Sequence, residues 1–175
     1  FVVETGLHTD KPGQVTGNTG PVTLQNAITQ SILFQKPVVL HRMDLYLADN
    51  QPVFTMPKIK VQIMDLSQKV LYEKKIRVSR LQGKRRLSLD LKGVSFRSNE
   101  QYYLCLNGTG EDDTLQGPAF ATMQQSSPFT ELTFYTETDE RRDPEALMLQ
   151  CQYDVMPMGW GYYVGYLVIL LGILA

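Results

Sequence analysis

Three groups of side chains in this 175-residue chain have the chemistry to hold a ligand. Lys84, Arg85 and Arg86 stand in a row, with Arg77 and Arg80 just ahead of them. Such a cluster attracts anionic lipid head groups or polysaccharide. It equally serves to blunt the edge of a strand and keep it soluble. Glu111, Asp112 and Asp113 close a loop that begins at Asn107-Gly108. Their hard oxygens suit calcium, while solvated loop charge is the plainer reading. Tyr46, Tyr103 and Tyr135 fall at outward or loop-adjacent positions, and Phe129 sits in a loop-like Ser-Ser-Pro-Phe-Thr. A pyranose lays its C–H face on such rings when polar groups stand beside them.

Other chemistries find less support. His8 and His41 lack a second ligand at zinc spacing, and His41 falls on the apolar face of a strand pattern. The glycines near residue 108 are not followed by a Lys-Ser/Thr pair opening a helix, so they form no phosphate cradle. Ser126-Ser127-Pro128 has no strand-turn-helix setting to expose a strained nucleophile. Paired carboxylates on distant strands are compatible with glycoside hydrolysis, but no spacing favours them. No catalytic residue and no cofactor is therefore assigned. A net charge of −1 argues against a nucleic-acid footprint. Cys105 and Cys151 are too few for a disulfide framework; a single bridge and two small core residues both remain open.

The elements that must position these groups read as strands. Val38 to Ala48 alternates, with His41, Met43, Leu45 and Leu47 on one face and Arg42, Asp44 and Tyr46 on the other. Lys58 to Met64 repeats the pattern with Ile59, Val61 and Ile63 inward. Ala27–Phe34, Val70–Val78, Arg86–Leu91, Gln101–Leu106, Ala119–Met123, Leu132–Thr136 and Leu147–Tyr153 complete the set. Turn residues separate them, and no apolar stripe of helical period appears before the C-terminal run. The pattern predicts an all-β, antiparallel sandwich, jelly-roll-like, over residues 27–154. Residues 1–26, rich in Gly and Pro among polar residues, read as an irregular linker.

Residues 155–175 read differently. No charge follows Asp154; Trp160, Tyr162, Tyr163 and Tyr166 precede an aliphatic run to Ala175. Aromatics at the boundary of a greasy segment mark the entry of a transmembrane helix. The run is a little short of the ~20 residues a bilayer needs. It is therefore expected to continue beyond Ala175, and Phe1-Val2-Val3 is compatible with the end of an earlier membrane helix. No Lys or Arg lies between Cys151 and Gly159, which places the sandwich on the extracytoplasmic side of the cell membrane.

The order of these parts carries a resemblance. Gln-Ser-Ile-Leu-Phe is followed by Leu-His-Arg-Met-Asp-Leu-Tyr-Leu-Ala, Lys-Ile-Lys-Val-Gln-Ile-Met-Asp and Val-Leu-Tyr-Glu-Lys-Lys. Then come Arg-Leu-Ser-Leu-Asp-Leu, Glu-Gln-Tyr-Tyr-Leu-Cys-Leu and Ala-Leu-Met-Leu-Gln-Cys-Gln-Tyr before the apolar tail. This resembles the extracytoplasmic jelly-roll domains of bacterial multi-span membrane proteins of surface-polysaccharide assembly, including membrane glycosyltransferases. The resemblance implies a fold and a setting, and no catalytic residue is carried over from it. The expected role is a noncatalytic domain of a larger integral membrane protein, binding a glycan, a lipid-linked donor or a partner. A single-span, membrane-anchored carbohydrate-binding or adhesion protein is the rival. It predicts Lys and Arg soon after Ala175.

Overall fold

A computed structural model describes residues 4–9, 15–124, 129–135, 140–143 and 145–155, with backbone alone at 4–9, 129–132 and 140–143. The regular structure of the described chain is almost entirely strand: β1 (Glu4–Thr9), β2 (Val15–Pro21), β3 (Ala27–Leu33), β4 (Val38–Tyr46), β5 (Lys58–Asp65), β6 (Val70–Arg77), β7 (Arg86–Phe96), β8 (Gln101–Gly108), β9 (Ala119–Gln124), β10 (Phe129–Tyr135), β11 (Glu140–Asp143), β12 (Glu145–Leu147) and β13 (Leu149–Val155). A single 3-10 turn, Val78–Leu81, joins β6 towards β7. Among the described residues no helix is long and apolar enough to cross a membrane. The expected transmembrane helix, with Trp160, Tyr162, Tyr163 and Tyr166, lies outside the described residues.

Every pairing between these strands is antiparallel, in three sheets. Their orders are β1-β13-β4-β7, β11-β10-β3-β8-β5-β6 and β12-β9-β2. The two larger sheets share one core. Met43, Leu45, Leu87, Leu89, Leu149 and Cys151 from the four-stranded sheet join Ile28, Ile32, Ile59, Ile63, Leu104 and Leu106 from the six-stranded one. Strict period-2 alternation, as on β5 and β7, turns an apolar face inward and a polar face to water and so packs the sandwich. One end is closed by rings: Phe34 lies 5.4 Å from Phe96 and 5.5 Å from Tyr153, and Phe96 lies 4.5 Å from Tyr102, between centroids.

Three expectations are corrected. The stretch read as an irregular linker contains β1 and β2, each at the edge of its sheet. Edges tolerate the Gly and Pro that would break a central strand. The register of β2 slips twice, between Val15 and Gly17 and between Asn18 and Pro21. A Cβ at Gly17 would stand 3.1 Å from Glu145 Oε2 and 3.2 Å from Thr122 Oγ1, a tight fit to which those side chains would have to give. His41, expected on the apolar face, is exposed, with its Nε2 2.7 Å from Asp154 Oδ2. The cause is a bulge between Leu40 and Arg42 that inserts one residue and turns His41 outward. Strand β7 also runs on past Leu91 to Phe96, because Lys92 (φ +50) and Gly93 (φ +85) bulge the strand without ending it.

The cysteines are resolved too. Both are buried free thiols, Cys151 on β13 and Cys105 on β8, in different sheets. Burial raises the Cys105 thiol, against a smaller opposing effect of the Thr29 hydroxyl. Burial and then the Asp44 carboxylate push Cys151 up to about 12.

Candidate functional site

The strand register brings the basic row and one predicted ring together. β4 and β7 pair so that Tyr46 stands opposite Arg86 and Asp44 opposite Ser88. Arg86 opens β7, directly after the Gln82-Gly83-Lys84 turn, where Gly83 takes φ +73. That turn is tied to the end of β4, since Leu47 N donates to Arg85 O at 2.9 Å. The result is a cleft of about 950 Å3 at the end of the four-stranded sheet. Arg80, Lys84, Arg85 and Arg86 line it, with Asp49 as the one carboxylate among its described lining residues. Tyr46, Val15, Ala121 and Met148 form an apolar wall. Arg86 is shared with the Asp44 carboxylate, so Arg80, Lys84 and Arg85 against Asp49 set the positive potential of this concave space.

The apolar wall comes from a second small core. Ala121, Met123 and Met148 pack together, with Tyr46 half-buried against them. The Tyr46 hydroxyl donates to Gln150 Oε1 at 3.0 Å, which fixes the ring. β4 is further tied to this region, because Tyr46 N donates to Met148 O at 3.1 Å. Arg86 is shared with a smaller polar recess of about 180 Å3 lined by Arg42, Asp44, Arg86, Gln150 and Gln152. Asp44 is its buried centre. Arg42 Nε donates to Asp44 Oδ1 at 3.0 Å, and Arg86 Nη1 stands 3.6 Å from Asp44 Oδ2. Arg42 Nη2 also donates to Ser88 Oγ at 3.1 Å.

The other predicted residues are placed as follows. Tyr103 on β8 and Tyr135 on β10 line one hollow on the six-stranded sheet, away from the cleft. Phe129 opens β10 opposite Ile32, and its side chain is not among those described. Arg77, at the end of β6, is not part of the cleft lining. Glu111, Asp112 and Asp113 are exposed in the loop after β8. Asp112 Oδ1 accepts from Thr114 N at 2.8 Å and from Thr114 Oγ1 at 2.7 Å. These bonds hold its carboxyl below the usual range and commit it to its own turn. Among the described residues no three His, Cys, Asp or Glu side chains converge as metal ligands would.

Val15, Asp49, Ala121 and Met148 carry no site signal in the sequence. They reach the cleft from four separate stretches, so spacing along the chain holds no trace of the association. The usable signal was the outward parity of Tyr46 and Arg86, once β4 and β7 are known to be neighbours.

No protein-family model matches the chain, and no curated protein matches it. Among solved structures, a Streptococcus pneumoniae fucose binding module, SpX-3, aligns with a TM-score of 0.37 and 14% identity, covering 69% of this chain and 93% of that module.

Proposed function

We propose that this chain is a noncatalytic glycan-binding β-sandwich, jelly-roll in topology, and that its ligand is an acidic polysaccharide or the phosphate-bearing end of a lipid-linked sugar. One observation carries the reading: a cleft of about 950 Å3 in which Tyr46 faces a space shared with Arg80, Lys84, Arg85 and Arg86. The volume lies within the ~300–1,000 Å3 usual for small-ligand sites. Guanidinium groups bind carboxylate or phosphate in forked pairs, and a half-buried tyrosine offers a face to a sugar ring. The apolar, charge-free run after Asp154 supports a membrane setting. On this reading the sandwich stands on the extracytoplasmic side of the cell membrane, within a larger multi-span protein of envelope polysaccharide or glycolipid assembly.

The test is binding of polygalacturonate oligosaccharides to the 175-residue chain by calorimetry, at low and high salt. Binding should be measurable at 50 mM salt and fall at least tenfold by 500 mM. A Lys84→Glu/Arg85→Glu double variant, altered only at exposed positions, should lose at least tenfold with an unchanged melting temperature. Absence of binding at low salt, or binding indifferent to the charge reversal, would remove the proposal.

A further inference from the structure

The outer face of the six-stranded sheet carries a second hollow, of about 460 Å3. Register explains it. Thr29 on β3 pairs with Cys105 on one side and Thr133 on the other. Thr29 and Cys105, both short and buried, thus lie abreast on β3 and β8 and make a low floor. Taller groups stand around it: Tyr103 and Met64, which are register partners, and Tyr135 on β10. The β5–β6 turn adds Asp65, Leu66 and Gln68 at the rim. That turn is firmly built. Asp65 Oδ1 accepts from Ser67 N at 2.9 Å, Ser67 Oγ at 2.7 Å and Lys69 N at 2.9 Å. It holds Leu66 69% exposed, and Tyr135 is 39% exposed.

The chemistry differs from that of the cleft. Among the described lining residues there is one carboxylate, Asp65, and no Lys, Arg or His. An anion has no partner there. A wholly apolar ligand would strip water from Asp65 and Gln68 without replacing it. A neutral sugar satisfies both needs: its C–H face lies on tyrosine rings while its hydroxyls meet glutamine and carboxylate.

We propose that this hollow is a second glycan site, which takes a neutral pyranose through Tyr103, Tyr135 and Leu66. It lies on different strands from the cationic cleft, and loss of polygalacturonate binding leaves it untouched. The test titrates the 175-residue chain with three neutral hexasaccharides, of β-glucose, α-mannose and N-acetylglucosamine, read by saturation-transfer NMR and calorimetry. At least one should bind, with little dependence on salt. Tyr103→Ala and Tyr135→Ala should each weaken it tenfold or more, and Tyr103→Phe should stay within about twofold. Leu66→Asp, at an exposed turn where folding is not at stake, should weaken it several-fold. Lys84→Glu/Arg85→Glu should leave it unchanged. The proposal fails if none of the three sugars binds. It fails equally if binding survives Leu66→Asp and the tyrosine variants, or if the charge reversal abolishes it.

Discussion

Asp44 carries the most consequence of any single residue on the four-stranded sheet. Its side chain is 7% exposed, between Arg42 and Arg86, which are themselves about half exposed. Removing the charge leaves two guanidinium groups without their shared anion. Asp44→Asn should therefore lower stability by about 1–3 kcal/mol in chemical denaturation. The same change releases Arg86 towards the cleft, so affinity for polygalacturonate should rise several-fold; a fall would show that Asp44 orients Arg86. Cys151 beneath it gives a pH test. An unfolded thiol ionises near ~8.5, whereas the folded one is pushed up to about 12. Above the unfolded value, the unfolded chain sheds a proton that the folded chain keeps. Stability contributed by this thiol is therefore intact at neutral pH and is lost as pH rises through the interval to about 12. The slope approaches ~1.4 kcal/mol per pH unit. Denaturation midpoints of the wild type and Cys151→Ala should diverge less above pH 9 than below it. Tyr72 is a smaller case: its hydroxyl is buried with no hydrogen-bond partner among the described residues. Burial, and then the Asp90 carboxylate, hold its ionisation above the usual value.

At the scale of elements, the strands were legible wherever alternation was strict. Lys58–Asp65 matches the predicted strand because Ile59, Val61 and Ile63 leave only one way to bury apolar surface. Alternation failed where the backbone departs from two residues per repeat, as at the Leu40–Arg42 bulge that exposes His41. It also says nothing for edges: Val15–Pro21 has no apolar face to reveal it, and pairs through its backbone with β9. Gln30 shows a different gap. It sits fully buried among the apolar residues of β3, and its Oε1 accepts from Leu147 N at 2.9 Å. Gln30→Leu keeps the volume but strands that donor, so it should cost about 1–3 kcal/mol. Gly108 ends β8 against the chain at Thr23, where a Cβ would stand 2.8 Å from a carbonyl oxygen. Gly108→Ala should cost about 1–3 kcal/mol by overpacking, seen as a lower melting temperature. Melting points equal to wild type would refute both.

At the scale of the molecule, the setting is tested by topology and the sites by mixtures. An alkaline-phosphatase fusion after residue 155 should be active if the sandwich stands outside the cytoplasm; activity of a cytoplasmic reporter there would refute that placement. A cation-lined cleft and a hollow with no Lys, Arg or His among its described lining residues lie on different sheets. Polygalacturonate and a neutral hexasaccharide should bind together without competing.

Residue order alone carried the all-β class, most strand positions and the outward parity of Tyr46, Arg86, Tyr103 and Tyr135, because a strand's two faces are a local, period-2 property. It also carried the charge-free apolar run from 155 onward as a membrane expectation. Which outward residues become neighbours was decided by strand pairing across the fold. Tyr46 meets Arg86 from 40 residues away along the chain, and Met148 from about 100. Such pairings are selected by the total burial of the two inner faces, and no short window of sequence holds that sum.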